Sequence, residues 1–201
     1  MAQTDSSYFE IGADVTPLFR SMFSGGNTIT PAYALYLEKS FGNFGLRAGA
    51  GISNSTTVEL AGPTNGNTET TNVVNSNSFR LGVVFYKNFN PKWGIKYGVD
   101  GVFSTTKSER NDTFINLSNQ EVNTISSITT SGAGAQAFLF TQYHFSKNIS
   151  VGTELALRFQ QVKMEDVDKN SEFPEFDTVT NTEYNYFNFI LPTNLYLIVR
   201  F

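Results

Sequence analysis

The chain carries few side chains able to make or break bonds. Among its 201 residues there is no Cys and one His, His144. A hydrolytic site needs a nucleophile, a base and an orienting acid within hydrogen-bond reach of one another. Ser146 lies near His144, but nothing in the spacing sets a Ser and an acid on strands beside it. A structural His144, no catalytic residue and no enzymatic activity are the expectation. Thiolate metal sites and His clusters are excluded by the same counts. One spacing resembles a cation loop: Asp166, Asp168, Asn170 and Asp177 fall at its first, third, fifth and twelfth positions. However, Ser171 stands where such a loop turns on Gly, and Asp177 where it uses a bidentate Glu. The preferred reading is a solvated acidic loop, with no metal and no cofactor assigned.

A second set of charged residues is more informative. Glu10, Asp14, Glu38, Arg47, Arg80, Lys96, Asp100, Glu154 and Arg158 interrupt segments that otherwise alternate apolar and small residues. Charged residues make up only 16% of the chain, against about 25% in ordinary soluble domains, so their positions carry weight. Aromatic residues are abundant, with 19 Phe, 9 Tyr and 1 Trp. Net charge −4 and a pI near 5.0 lack the basic patch that nucleic acid requires, so no nucleic-acid partner is expected. No apolar run is long enough for a membrane-spanning helix. Met1-Ala2-Gln3 is not itself an export signal; it reads as the edge of a cleaved one behind a start Met.

These residues must be positioned by strands, because period-two alternation dominates and helical periodicity is scarce. Eight strands are predicted: 8–19, 30–41, 44–53, 78–89, 93–103, 132–145, 149–159 and 184–201. Most have the roughly 9–11 residues that a tilted strand needs to cross a bilayer. Tight turns at Gly42-Asn43, Asn90-Pro91-Lys92 and Ser146-Lys147-Asn148 alternate with long polar loops at 54–77, 104–131 and 160–183. Short turns on one rim and long loops on the other is the layout of a transmembrane barrel. The whole chain, 1–201, reads as one such domain, with 1–7 a periplasmic tail.

Parity then assigns the two faces. Strand 44–53 sets Phe44, Leu46, Ala48, Ala50 and Ile52 against Gly45, Arg47, Gly49, Gly51 and Ser53. Applied to the other strands, the same test puts all nine mid-strand charges on one Gly-rich face. A Lys or Arg on the lipid face at mid-depth costs about 2–4 kcal/mol. Charges are therefore placed in the lumen and apolar residues outside. Strand 132–145 fits least well, because Gln136, Gln142 and His144 inside bring Phe138 and Phe140 inside with them. Two aromatic girdles follow: Phe9, Phe41, Phe44, Phe89, Trp93, Phe145 and Phe201 at the tight-turn rim, and Phe19, Phe79, Phe103, Phe159 and Phe187 at the long-loop rim.

The chain ends Leu195-Tyr196-Leu197-Ile198-Val199-Arg200-Phe201, with a terminal Phe and apolar Leu195, Leu197 and Val199 at alternate positions before it. This resembles the C-terminal signal read by outer-membrane assembly machinery. With the loop layout, the chain resembles small eight-stranded outer-membrane barrels of the OmpA/OmpX type, and the porin-like β-barrel domain of the Bacteroidota. Pro192 within the last strand departs from that pattern, since it removes a ladder donor. The resemblance implies an all-β, eight-stranded antiparallel up-and-down transmembrane barrel in the outer membrane of a Gram-negative bacterium. Its implied partners are outer-membrane lipid, lipopolysaccharide and the barrel-assembly machinery. An eight-stranded barrel is just wide enough for side chains to fill. The lumen is therefore read as a closed polar plug, with a structural or surface-recognition role carried by the extracellular loops. The alternatives are an accessory subunit of a larger outer-membrane assembly, secretion or uptake complex, and a narrow pore. A soluble barrel with its faces inverted is a further rival.

Overall fold

The computed structural model describes residues 7–17, 35–61, 68–115, 121–170, 175, 177–191 and 194–201. Nine strands are formed: β1 (Phe9–Asp14), β2 (Leu35–Ser40), β3 (Phe44–Ala61), β4 (Thr68–Asn88), β5 (Trp93–Ile115), β6 (Glu121–His144), β7 (Ile149–Asn170), β8 (Thr178–Ile190) and β9 (Tyr196–Arg200). Each of β1 to β7 pairs antiparallel with the next. The ring closes through β9, which lies between β7 and β1. β8 continues the same strand position upward along β7. The result is an antiparallel up-and-down barrel of eight strand positions, the fold class read from the sequence.

Turn chemistry explains the tight rim. Gly42 has φ of 83°, which an L side chain resists, and it lets Phe41 N–H reach the Phe44 carbonyl at 2.7 Å. At the next turn the Asn90 carboxamide oxygen accepts from the N–H groups of Lys92 and Trp93, both at 2.9 Å. The Ser146 hydroxyl accepts from Asn148 and Ile149 in the third.

At the opposite rim the expected layout is corrected. The spans 54–77, 104–131 and 160–183 are not structureless loops: β3 runs to Ala61, β4 begins at Thr68, β5 runs to Ile115, β6 begins at Glu121 and β7 runs to Asn170. Ladder pairing continues through their described residues, as in Glu59↔Thr70, Arg110↔Ser126 and Glu165↔Asn181. Thr, Val and Asn carry these extensions. Their apolar residues, such as Val58, Val73, Val74, Ile125 and Ile128, do not alternate regularly, so the pattern that reveals a strand is absent although the backbone is extended.

The predicted last strand, 184–201, is two strands. Between Gly152↔Tyr196 and Ala156↔Ile190 lie three residues of β7 and five of the last position, so the register shifts by two at the junction of β8 and β9. Side chains satisfy its backbone: the Thr153 hydroxyl donates to the Asn194 carbonyl at 2.7 Å, and Leu195 N–H donates to the Thr16 hydroxyl oxygen at 2.7 Å. Pro192, which lacks a ladder donor, falls in this stretch of sequence but outside the described residues. Also outside them are Phe19, residues 1–6 of the predicted tail and residues 20–29 between the first two predicted strands.

Candidate functional site: the charged lumen

The parity argument locates the polar interior. Glu10, Glu38, Arg47, Arg80, Lys96 and Asp100 are all buried, while Asp14, Glu154 and Arg158 are partly buried. Seven of them form two ion-pair layers across the lumen, while Asp14 accepts from the Thr16 N–H at 2.8 Å and Arg158 hydrogen-bonds to Gln136. In the layer nearer the tight turns, Lys96 of β5 donates to Glu10 of β1 and, at 2.8 Å, to Glu38 of β2. Arg200 of β9 completes it, with Nε and Nη2 on one Glu10 oxygen at 2.9 and 2.7 Å. In the second layer, Arg47 of β3 pairs with Asp100 of β5 and, at 2.9 Å, with Glu154 of β7. Arg80 of β4 donates to Glu154 at 2.6 Å. Gln136 of β6 donates to the same carboxylate at 3.0 Å and accepts from Arg158 at 2.9 and 2.7 Å.

An aromatic layer lies between them. Tyr36, Phe140 and Tyr196 meet with ring centroids 5.5–6.0 Å apart, packed with Val84, Ala156 and Ile198. The Arg47 guanidinium lies 3.0 Å above the Phe138 ring centroid, a stacked cation over a π face. The two Phe residues that fitted the parity scheme least well are thus lumen residues with partners. Facing small residues make room for these rings. A Cβ at Gly12 would run into Tyr36, and one at Gly152 into Phe140.

Arg200 was missed by sequence reasoning, although a signal for it was present. Phe201 points outward with Leu197, so Arg200 must face in. Its inclusion balances the lumen. The acids are Glu10, Asp14, Glu38, Asp100 and Glu154; the bases are Arg47, Arg80, Lys96, Arg158 and Arg200. Among the described residues, five stand against five.

Outside, the distribution is reversed. Phe9, Phe41, Phe44, Phe89, Trp93, Phe145 and Phe201 are exposed at the tight-turn rim; Phe79, Phe103, Phe159 and Phe187 are exposed at the other. Trp93 and Phe103 are ten residues apart on β5. At about 3.3 Å per residue and a tilt near 40°, that separation is about 25 Å along the barrel axis, the height of a transmembrane apolar band. Leu46, Leu81, Val99, Leu139 and Leu157 fill the band between. Buried ions inside and exposed hydrocarbon outside is the architecture of a transmembrane barrel.

The remaining candidates are placed as follows. His144 Nδ1 lies 3.1 Å from the Ser150 hydroxyl, which Gln142 also reaches at 3.3 Å; Ser146 instead caps its turn. No carboxylate hydrogen-bonds His144 among the described residues. Asp166, Asp168 and Asn170 lie on strand β7, not in a chelating loop, and the Asp177 carboxylate accepts from the Asn170 N–H at 2.9 Å. No group of three or more metal-ligating residues is found among the described residues.

No protein-family model and no curated protein matches the chain. A solved structure with a similar course is that of a major outer membrane protein from Thermus thermophilus. The TM-score is 0.47 at 12% identity, and the alignment covers 97% of this chain and 98% of that one.

Proposed function

We propose that the chain is an integral outer-membrane barrel of a Gram-negative bacterium, closed to solutes by its ion-paired lumen and acting through the strands that rise above the membrane. One observation carries this reading: charged residues face a filled interior while aliphatic and aromatic residues face outward across a bilayer-thick band. Filling supports closure. Each ion-pair layer ties together strands from opposite sides of the ring, and an aromatic layer lies between them. The risen strands support a surface role, since their polar residues stand on both faces and β8 is exposed along nearly its whole length.

Trp93 gives a direct test because it is the single Trp, outward and half-exposed at one rim. Refolded into vesicles containing brominated lipid, the protein should show quenched Trp93 emission, most strongly when bromine lies near the head groups. A chain that stays monomeric in detergent-free buffer, with unquenched emission, overturns the reading.

A further inference from the structure

Exposed charge is sorted by rim. On the risen hairpins Lys107 pairs with Glu109, Arg110 with Asp112 and Lys163 with Glu183. At the tight-turn rim the outward cations among the described residues are Lys39, Lys87, Lys92 and Lys147, and none of the four is in an ion pair with a described residue. The nearest acids, Glu10 and Glu38, are buried in the first ion-pair layer, so no described Asp or Glu side chain is exposed at that rim. Three of these lysines stand together. The turn carrying Lys92 adjoins the strand leading to Lys147, because the His144 N–H donates to the Lys92 carbonyl at 2.8 Å. Side-chain caps fix both turns: Asn90 accepts from the Lys92 N–H and Ser146 from the Asn148 N–H. Between Lys92 and Lys147 runs a strip of rings. Trp93 meets Tyr143 with centroids 5.0 Å apart, and Tyr143 meets Phe145 at 5.2 Å. Lys87 reaches back toward the rim, its ammonium 5.9 Å from the Phe89 centroid. Short turns mark the periplasmic side of a transmembrane barrel, where the facing leaflet is glycerophospholipid, and aromatic girdles lie at head-group depth.

We propose that this part of the rim binds one anionic glycerophospholipid of the phosphatidylglycerol class, drawn from the periplasmic leaflet. The phosphate meets Lys92 and Lys147 with Lys87 beside them, and an acyl chain runs toward the bilayer centre over Trp93 and Ile95. Charge complementarity selects this occupant. A lysine at a membrane surface attracts anionic lipid by about 1 kcal/mol, or about fivefold. A zwitterionic head group brings an ammonium that finds no exposed carboxylate side chain here and is repelled by the lysines. Lys39, alone on β2, has no second lysine on the adjoining turn and lies outside the site. The assignment rests on the membrane-barrel reading above.

Trp93 reads the site directly, since the chain has no other Trp. The full chain is refolded into vesicles of equal parts phosphatidylglycerol and phosphatidylethanolamine, with bromine on the acyl chains of one lipid or of the other. Bromine on the glycerol lipid should quench Trp93 more, by an amount matching a local preference of about fivefold for each lysine engaged. Lys147→Gln should lower the preference about fivefold, and Lys92→Gln with Lys147→Gln should abolish it. Lys39→Gln should leave it unchanged. Heat-dependent gel mobility reports whether each variant has folded. Equal quenching by the two labels in the unmodified protein overturns the site and leaves the barrel standing. So does a preference that survives the double variant, or one that Lys39→Gln lowers as much as Lys147→Gln does, which would assign it to the charge of the whole rim. A Trp93 that neither label quenches overturns the barrel as well.

Discussion

Lys96 and Glu10 stand on β5 and β1, four strand positions apart in an eight-position ring, and their side chains meet across the lumen. Arg47 and Glu154 repeat the relation between β3 and β7. Such pairs brace opposite walls against each other. Neighbouring strands are already held by the backbone ladder, so these ionic contacts fix the cross-section more than they fix the pairing.

Loss of one brace partner should be costly. Lys96→Met leaves Glu10 with Arg200 but takes from Glu38 the cation it pairs with, and an uncompensated buried charge costs about 3–5 kcal/mol. Urea unfolding in vesicles should show a loss of that order. Lys96→Met combined with Glu38→Leu should recover part of it, because removing both partners leaves no orphan. A single variant as stable as the parent contradicts the bracing role.

Closure makes a prediction for conductance. The unmodified barrel should be silent in a planar bilayer. Arg47→Ala with Glu154→Ala removes two long side chains from the second ion-pair layer while keeping net charge constant, and should yield discrete single-channel steps. Regular steps from the unmodified protein would favour the pore alternative.

Packing complementarity between Gly152 and Phe140 predicts a coupled pair. Gly152→Val drives methyl groups into the Phe140 ring, and overpacking of this kind costs about 1–3 kcal/mol. Phe140→Ala alone opens a cavity and costs about 3–5 kcal/mol. The double variant should lose clearly less than the sum, a coupling that a double-mutant cycle reads directly. Simple additivity would show that the two residues do not touch.

On the extended hairpins, Asp112 titrates below the ordinary aspartate range. Burial works against this, but a hydrogen bond from the Thr70 hydroxyl at 2.5 Å and one from Arg110 at 2.8 Å, with the charge of Arg110, outweigh it. A carboxylate with a depressed folded pKa stabilises the fold above its unfolded pKa, and that contribution fades as pH falls through the folded value. Carbon-detected titration should place the Asp112 midpoint below that of an unstructured aspartate. Thr70→Val should raise it toward normal.

Extension of the hairpins is itself testable. Backbone amides of 104–115 and 121–131 should exchange slowly with solvent, at rates set by a paired ladder. Exchange as fast as in an unstructured peptide would restore the loop layout.

How much of this was legible depends on where an apolar contrast exists. Within the bilayer, Leu46 beside Arg47 and Ile95 beside Lys96 reveal strand, face and environment together. Above it, apolar residues come without regular alternation, as in Asn72-Val73-Val74, so parity has little to read and β-propensity alone marks the strand. Phe138 and Phe140 mislead for the opposite reason. Their hydrophobicity argues for lipid, yet they fill space beside Gly152 and under Arg47 that only the three-dimensional register reveals. Arg200 was hidden by its place in the C-terminal signal, which directs attention to the outward residues flanking it.

Equal numbers of acids and bases in the interior have an electrical consequence. Moving one elementary charge through 100 mV changes its energy by about 2.3 kcal/mol, and voltage sensors exploit this by carrying several like charges. Glu10 and Glu38 are offset by Lys96 and Arg200 at one level, Asp100 and Glu154 by Arg47 and Arg80 at the next. An applied field therefore finds almost no net handle on the ten charges taken together, and the cross-lumen braces remain set whatever the potential difference between the two sides.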